Sequence, residues 1–136
     1  RSGADVAKAM EMGADAVSIG SAGMRAWNCN GDVYVEDNKK HRTEPGYCHH
    51  CHTGRCPVGV ATQDPELEKR LNPIEAGKRI KNYLTTLTLE LQTLARANGN
   101  SDVRNLEPED LAALTVEAAA MARVPLAGTD WTPGKK

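Results

Sequence analysis

All four cysteines of this 136-residue chain fall between positions 29 and 56, with His49, His50 and His52 interleaved among them. The core of the cluster reads Cys48-His49-His50-Cys51-His52-Thr53-Gly54-Arg55-Cys56-Pro57. Disulfides in small secreted domains usually staple distant loops. Thiols crowded into one loop, with no export signal ahead of them, point instead to metal. Thiolates are soft ligands that suit zinc or iron–sulfur clusters. A zinc site normally pairs two short-spaced motifs across a longer gap. Here Cys48, Cys51 and Cys56 lie within nine residues, and Cys29 stands eighteen intervening residues upstream. Three thiolates from one loop wrap a compact cluster more naturally than a single tetrahedral ion. A proline directly after the last cysteine also recurs in ferredoxin-type loops. The spacing favours an iron–sulfur site, and a zinc ion or uncoordinated or disulfide-linked thiols stay open as alternatives. Neighbouring histidines on a loop point in different directions, so His49, His50 and His52 read as supports or solvated groups before ligands. His41 reads as solvated.

The length suits one domain, and with no Phe, three Tyr and two Trp the core must be aliphatic. Seventeen basic residues against eighteen acidic give no electrostatic footprint for nucleic acid or an anionic membrane. No apolar run approaches the ~20 residues of a membrane span. The opening Arg1-Ser2-Gly3-Ala4-Asp5 is no signal peptide, and a cytoplasmic location is expected. The chain opens without Met, on a helix lacking the strand expected before it, and reads as part of a larger unit.

The pattern predicts a helix over 3–12, stopped by Gly13, then a buried strand at Ala16–Ile19, the turn Gly20-Ser21 and a short helix over 22–28. Helix, strand, Gly-Ser and helix in that order form a piece of an α/β repeat. A glycine between strand and helix lets backbone N–H groups approach a phosphate, although such a pair is more often a plain turn. Residues 30–47 read as an exposed loop, from Asn-Gly-Asp, the charged run 36–40 and Pro45-Gly46. A long helix is predicted from Pro73 to about Asn98, with Asn72 as N-cap and Glu75 completing a capping-box-like start. Ile80, Leu84, Leu87, Leu91 and Leu94 would form its one buried face. Two shorter helices are expected, over 108–114 and 115–123. Glu109-Asp110 reads as first-turn helix chemistry rather than an acid–base pair. Trp27 and Tyr47 flank the cysteines and serve equally well as shielding or as ordinary packing.

Three segments resemble the end of the flavin domain of the FMN-binding glutamate synthase family. They are Ser-Gly-Ala-Asp-Val-Ala-Lys-Ala at 2–9, Gly-Ala-Asp-Ala-Val-Ser-Ile-Gly at 13–20, and Cys-His-Thr-Gly-Arg-Cys-Pro-Val-Gly-Val-Ala-Thr-Gln-Asp-Pro at 51–65. The similarity continues through 106–111 and 124–128. It implies an α/β fold: 1–28 would be the last βα units of a (β/α)8 TIM barrel, 29–65 an inserted loop and cluster loop, and 66–136 a helical C-terminal extension. It implies that Gly20 and Ser21, with Arg1 nearby, bind the FMN phosphate. Cys51 and Cys56 would ligate a [3Fe–4S] or [4Fe–4S] iron–sulfur cluster, completed by Cys29, Cys48 or both.

The activity implied is reduction of the imine of 2-oxoglutarate and ammonia to glutamate. Electrons would come from ferredoxin or an NAD(P)H-oxidising subunit and pass through the cluster to FMN. A whole barrel needs ~250 residues, so the chain alone is expected to be inactive and to work with the remainder of the barrel or other synthase subunits. Rival readings are a methylamine–glutamate N-methyltransferase-type subunit on the same scaffold, a non-catalytic metal-binding or electron-transfer module, and a zinc-stabilised structural piece.

Overall fold

The computed structural model describes residues 2–29, 36, 39 and 48–134. Arg1, His41, Tyr47 and most of the 30–47 loop therefore lie outside the described residues. The chain divides into two compact units, one formed by Arg1–Ser18 and Thr85–Lys136, the other by Ile19–Leu84.

In the first unit, α1 (Gly3–Glu11) starts at Ser2, whose backbone N–H donates to the Asp5 carboxylate at 2.9 Å. It packs on the second half of the long helix α4 (Pro73–Ala97). Gly3 is the point of closest approach. Its N–H donates to Glu90 Oε2 at 2.7 Å, and a Cβ there would collide with the Cβ of Glu90 and lie 2.7 Å from the Leu91 nitrogen. Val6, Ala7, Leu91, Ala95 and Leu106 form the core, flanked by Met10, Leu87, Leu94 and Val103. At its edge the buried Glu11 accepts from Asn98 Nδ2 at 3.2 Å, and Asp110 accepts from Asn100 Nδ2 at 2.9 Å. Burial, then the charge of Asp110, pushes the Glu11 carboxyl up, with Lys8 opposing.

The helix expected over 108–114 is replaced by a single 3-10 turn, Pro108–Asp110. Residues beyond it extend instead, because Ala113 pairs with the tail: its N–H donates to Pro125 O and its carbonyl accepts from Ala127 N, both at 2.8 Å. Two backbone bonds and burial beside Ala119 and Val124 outweigh the helical preference of Ala112-Ala113. Between them runs α5 (Val116–Ala122), capped by Thr115 Oγ1 accepting from Ala118 N at 3.1 Å and closed by left-handed Arg123.

In the second unit, α2 spans Ser21–Ala26, α3 spans Pro65–Glu68, and α4 begins at Pro73. Asn72 caps α4 as expected: its Oδ1 accepts from Ile74 N at 3.1 Å and Glu75 N at 3.2 Å. The Glu75 carboxylate reaches Lys78 at 2.8 Å. Ala76 is buried here, while Leu84, on the predicted core stripe, is 42% exposed.

Residues 16–19, the expected strand, form none among the described residues. A strand exists only when a neighbour exchanges its backbone hydrogen bonds. No described segment does so here, and Val17 is left 37% exposed.

Candidate metal centre

The second unit contains all four cysteines, each a free thiol. Their positions are set by local chain chemistry. Cys29 closes the end of α2. Asn28 adopts the left-handed conformation at φ 69°, its N–H donates to Arg25 O at 2.8 Å, and Cys29 N–H donates to Met24 O at 3.1 Å. This paired helix-end motif normally takes Gly, with Asn as a frequent substitute.

Cys51 lies in a 3-10 turn over His50–His52, which Thr53 ties down through its N–H and hydroxyl to the His50 carbonyl. His49 and His52 are exposed, and so is Cys51, whereas Cys29 and Cys48 are half-buried. The Thr62 hydroxyl then bridges the loop, donating to Gly54 O and accepting from Asp64 N.

Cys56 is the buried member, 5% exposed, and begins a tightly packed Cys56-Pro57-Val58-Gly59 turn. Gly59 N–H donates to Cys56 O at 3.1 Å. Burial pushes the Cys56 thiol up, but backbone N–H groups of Ala61, Val60, Val58 and Gly59 directed at its sulfur more than offset this, and its pKa is lowered.

Cys29 is shifted the other way. Burial raises it first, then the negative charge of Cys51, Cys56 and Cys48, with Arg25 opposing. All four sulfurs are therefore within electrostatic reach, and a positively charged centre among them would relieve their repulsion. Among the described residues, no three His, Cys, Asp or Glu side chains converge as ligands of a single ion do.

Gly20 and Ser21 form the other predicted site. Gly20 (φ 45°, ψ −122°) occupies the first central position of the turn Ile19–Ala22, closed by Ala22 N donating to Ile19 O at 3.0 Å. Nothing lies within 4 Å of where a Cβ on Gly20 would stand, so this backbone edge is open. The turn begins α2 and Cys29 follows its end, about 10 Å along the axis at the usual helical rise. Arg1, the third proposed phosphate contact, lies outside the described residues.

Asn28, Gly59, Thr62 and Arg70, whose guanidinium donates to Pro57 O at 3.3 Å, were not singled out from sequence. Only Gly59, in Pro57-Val58-Gly59, carried a readable turn signal.

Four free thiols thus lie in one compact unit, three of them in a single loop. Residues 1–101 match the model of the conserved region in glutamate synthase, and the chain belongs to that family. It is 58% identical over 135 residues to a glutamate synthase large subunit-like protein of Rhizobium meliloti (strain 1021), covering 99% of this chain and 30% of that protein. It is 39% identical over 106 residues to an archaeal glutamate synthase (NADPH) of Methanocaldococcus jannaschii, covering 78% of this chain and 18% of that protein. An archaeal-type glutamate synthase (NADPH) of Thermotoga maritima matches at 35% over the same length. The chain thus spans less than a third of these relatives. No solved structure matches it. No helix among the described residues is long and apolar enough to cross a membrane.

Proposed function

We propose that this chain supplies the iron–sulfur loop and part of the flavin site of a glutamate synthase-like oxidoreductase, which reductively aminates 2-oxoglutarate to glutamate. Family membership supports the reaction class. The observation that carries the cluster assignment is the grouping of four free thiols in one unit, with the buried Cys56 in one loop with Cys48 and Cys51.

Cys29, Cys48, Cys51 and Cys56 would hold the cluster, and the Gly20-Ser21 turn, with Arg1, would take the FMN phosphate. When bound, the two groups supply one-electron relay and hydride delivery to the imine carbon. The chain's own part is orientation. α2 links the phosphate turn to Cys29 through a single short helix. The fold proposed is the C-terminal part of a (β/α)8 barrel with a helical extension. The remaining barrel or partner subunits, and a ferredoxin or NAD(P)H-oxidising donor, would complete the enzyme.

Anaerobic iron and acid-labile sulfide analysis of the intact protein, with an absorption spectrum, tests this. Iron and sulfide in stoichiometric amounts are expected, and stoichiometric zinc without iron would sink the assignment. Assay of the complete enzyme, with the remaining barrel present, is expected to give turnover with 2-oxoglutarate plus glutamine, and turnover only with methylamine plus glutamate would replace the proposed reaction.

A further inference from the structure

The end of α4 folds back on itself and leaves a cleft in the first unit. Gly99, at φ 82°, stops the helix: its N–H donates to Arg96 O at 3.0 Å, and Asn100 N–H donates to Ala95 O at 2.8 Å. This paired helix-end motif turns residues 100–103 back alongside the end of α4. A cavity of about 270 Å³ lies between them, with Gln92, Ala95 and Arg96 on the helix wall and Ser101, Asp102 and Val103 on the other. Both walls are fixed by the fold. Ala95 is 2% exposed within the aliphatic core, Val103 packs against the same core, and Asn100 Nδ2 donates to Asp110 Oδ2 at 2.9 Å. Charge around the cavity is unbalanced. The Asp102 carboxylate is committed to Arg104, which donates to it from Nε at 3.0 Å, from Nη2 at 2.6 Å and from its backbone N–H at 2.9 Å. Arg96 pairs with no carboxylate among the described residues, and the Gln92 amide and Ser101 hydroxyl bond to none of them either. One uncompensated guanidinium, two polar groups with hydrogen bonds to spare and an apolar patch from Ala95 and Val103 thus line one preformed cleft.

We propose that this cleft binds a small monocarboxylate that carries a hydroxyl or carbonyl oxygen beside the carboxylate. A guanidinium presents parallel donors that match a carboxylate in a two-pronged pair, and Arg96 supplies it. The neighbouring oxygen meets the Ser101 hydroxyl, and a short apolar body covers Ala95 and Val103. The volume is below the ~300–1,000 Å³ of pockets for drug-sized ligands, so the ligand is small. A second negative charge is disfavoured, because Asp102 lines the cavity and the end of α4 carries the negative end of the helix dipole. The cleft shares no residue with the cysteines or with the Gly20-Ser21 turn, and the inference stands whether or not the protein carries a cluster.

The test titrates the intact protein with L-lactate, succinate and inorganic phosphate, followed by calorimetry and by amide hydrogen exchange over residues 99–104. Lactate is expected to bind and to slow exchange in that segment, with succinate and phosphate weaker. Arg96→Met should weaken lactate at least about tenfold, as loss of a charge-assisted pair does. Ser101→Ala should weaken it about two- to tenfold. Arg79→Met makes the same substitution on the same helix outside the cavity and should bind lactate as the unaltered protein does. Arg96 is exposed and Met is about as good a helix former as Arg, so the fold should survive the change. If Arg96→Met nevertheless fails to fold, Ser101→Ala decides, and unchanged lactate binding in it overturns the proposal. So does the absence of lactate binding, lactate binding of full strength in Arg96→Met, or succinate or phosphate bound as tightly as lactate.

Discussion

The two units of the chain keep different things out of water. In the unit of Arg1–Ser18 and Thr85–Lys136 the buried set is aliphatic: Val6, Ala7, Leu91, Ala95, Leu106, and the smaller group Ala113, Ala119 and Val124. In Ile19–Leu84 it is chiefly one turn, Cys56-Pro57-Val58-Gly59, with Ala76 from α4. The first is the ordinary product of hydrophobic burial. The second buries backbone and a thiol, with the end of α3 against Gly59 and Arg70 bonded to the Pro57 carbonyl. Helix α4 makes the contrast quantitative, since Leu91 is 8% exposed and Leu84, seven residues earlier on the same stripe, is 42% exposed. A helical period states which residues share a face, and neighbours decide whether that face is covered.

The largest effect expected is from Cys56→Ser in the intact protein. Iron content should fall to near zero, while hydrogen exchange across α1 stays unchanged, because the aliphatic core contains no part of the cysteine loop. Protection lost equally in both units would break the comparison. Next, Leu91→Ala should cost about 2–5 kcal/mol, as large-to-small changes in cores do. Leu84→Ala should stay within about 1 kcal/mol, since it removes a side chain already partly in water. Local stability from hydrogen exchange in α4 reads both, and equal costs would mean that the stripe is covered along its whole length. Thr115→Ala should cost about 1 kcal/mol by removing the cap of α5, seen as faster exchange at Ala118 with no change in bound iron.

The smallest effect concerns Glu11. Its pKa is raised in the folded chain by burial and then by Asp110, so its contribution is complete below the unfolded carboxylate range and is lost as pH rises through the folded value. Glu11→Gln keeps an acceptor for Asn98 and carries no charge. It should therefore match the unaltered protein at low pH and exceed it slightly at neutral pH, by less than the loss in Thr115→Ala. A stability difference that does not vary with pH would show that the Glu11 charge is not felt by the fold.

Much of the helical framework was legible in the sequence. α1, its stop at Gly13, the Asn72 cap, the extent of α4 and the Thr115 start of α5 depend on residues within a few positions of one another. The helix predicted at 108–114 failed for a non-local reason, since Ala113 pairs with Pro125 and Ala127. The strand predicted at 16–19 did not form among the described residues, because pairing is a property of two segments. At the candidate site, the grouping of the thiols was readable from cysteine spacing. The Asn28 helix end that places Cys29, and the contact of Gly59 with Leu67, were not, because each depends on where a carbonyl points.

By itself the amino-acid sequence determined which groups are available: four soft thiols crowded into one stretch, a Gly-Ser turn before a helix, and a segment shared with glutamate synthases. Ligand identity is a matter of side-chain chemistry, and spacing along the chain reports it. The tertiary structure alone decided that Cys56 is buried while Cys51 is exposed, and that the turn around Cys56 admits no side chain at Gly59. Burial and hydrogen-bond direction come from packing α3 and Arg70 against that turn, and the identities of the residues do not contain that arrangement.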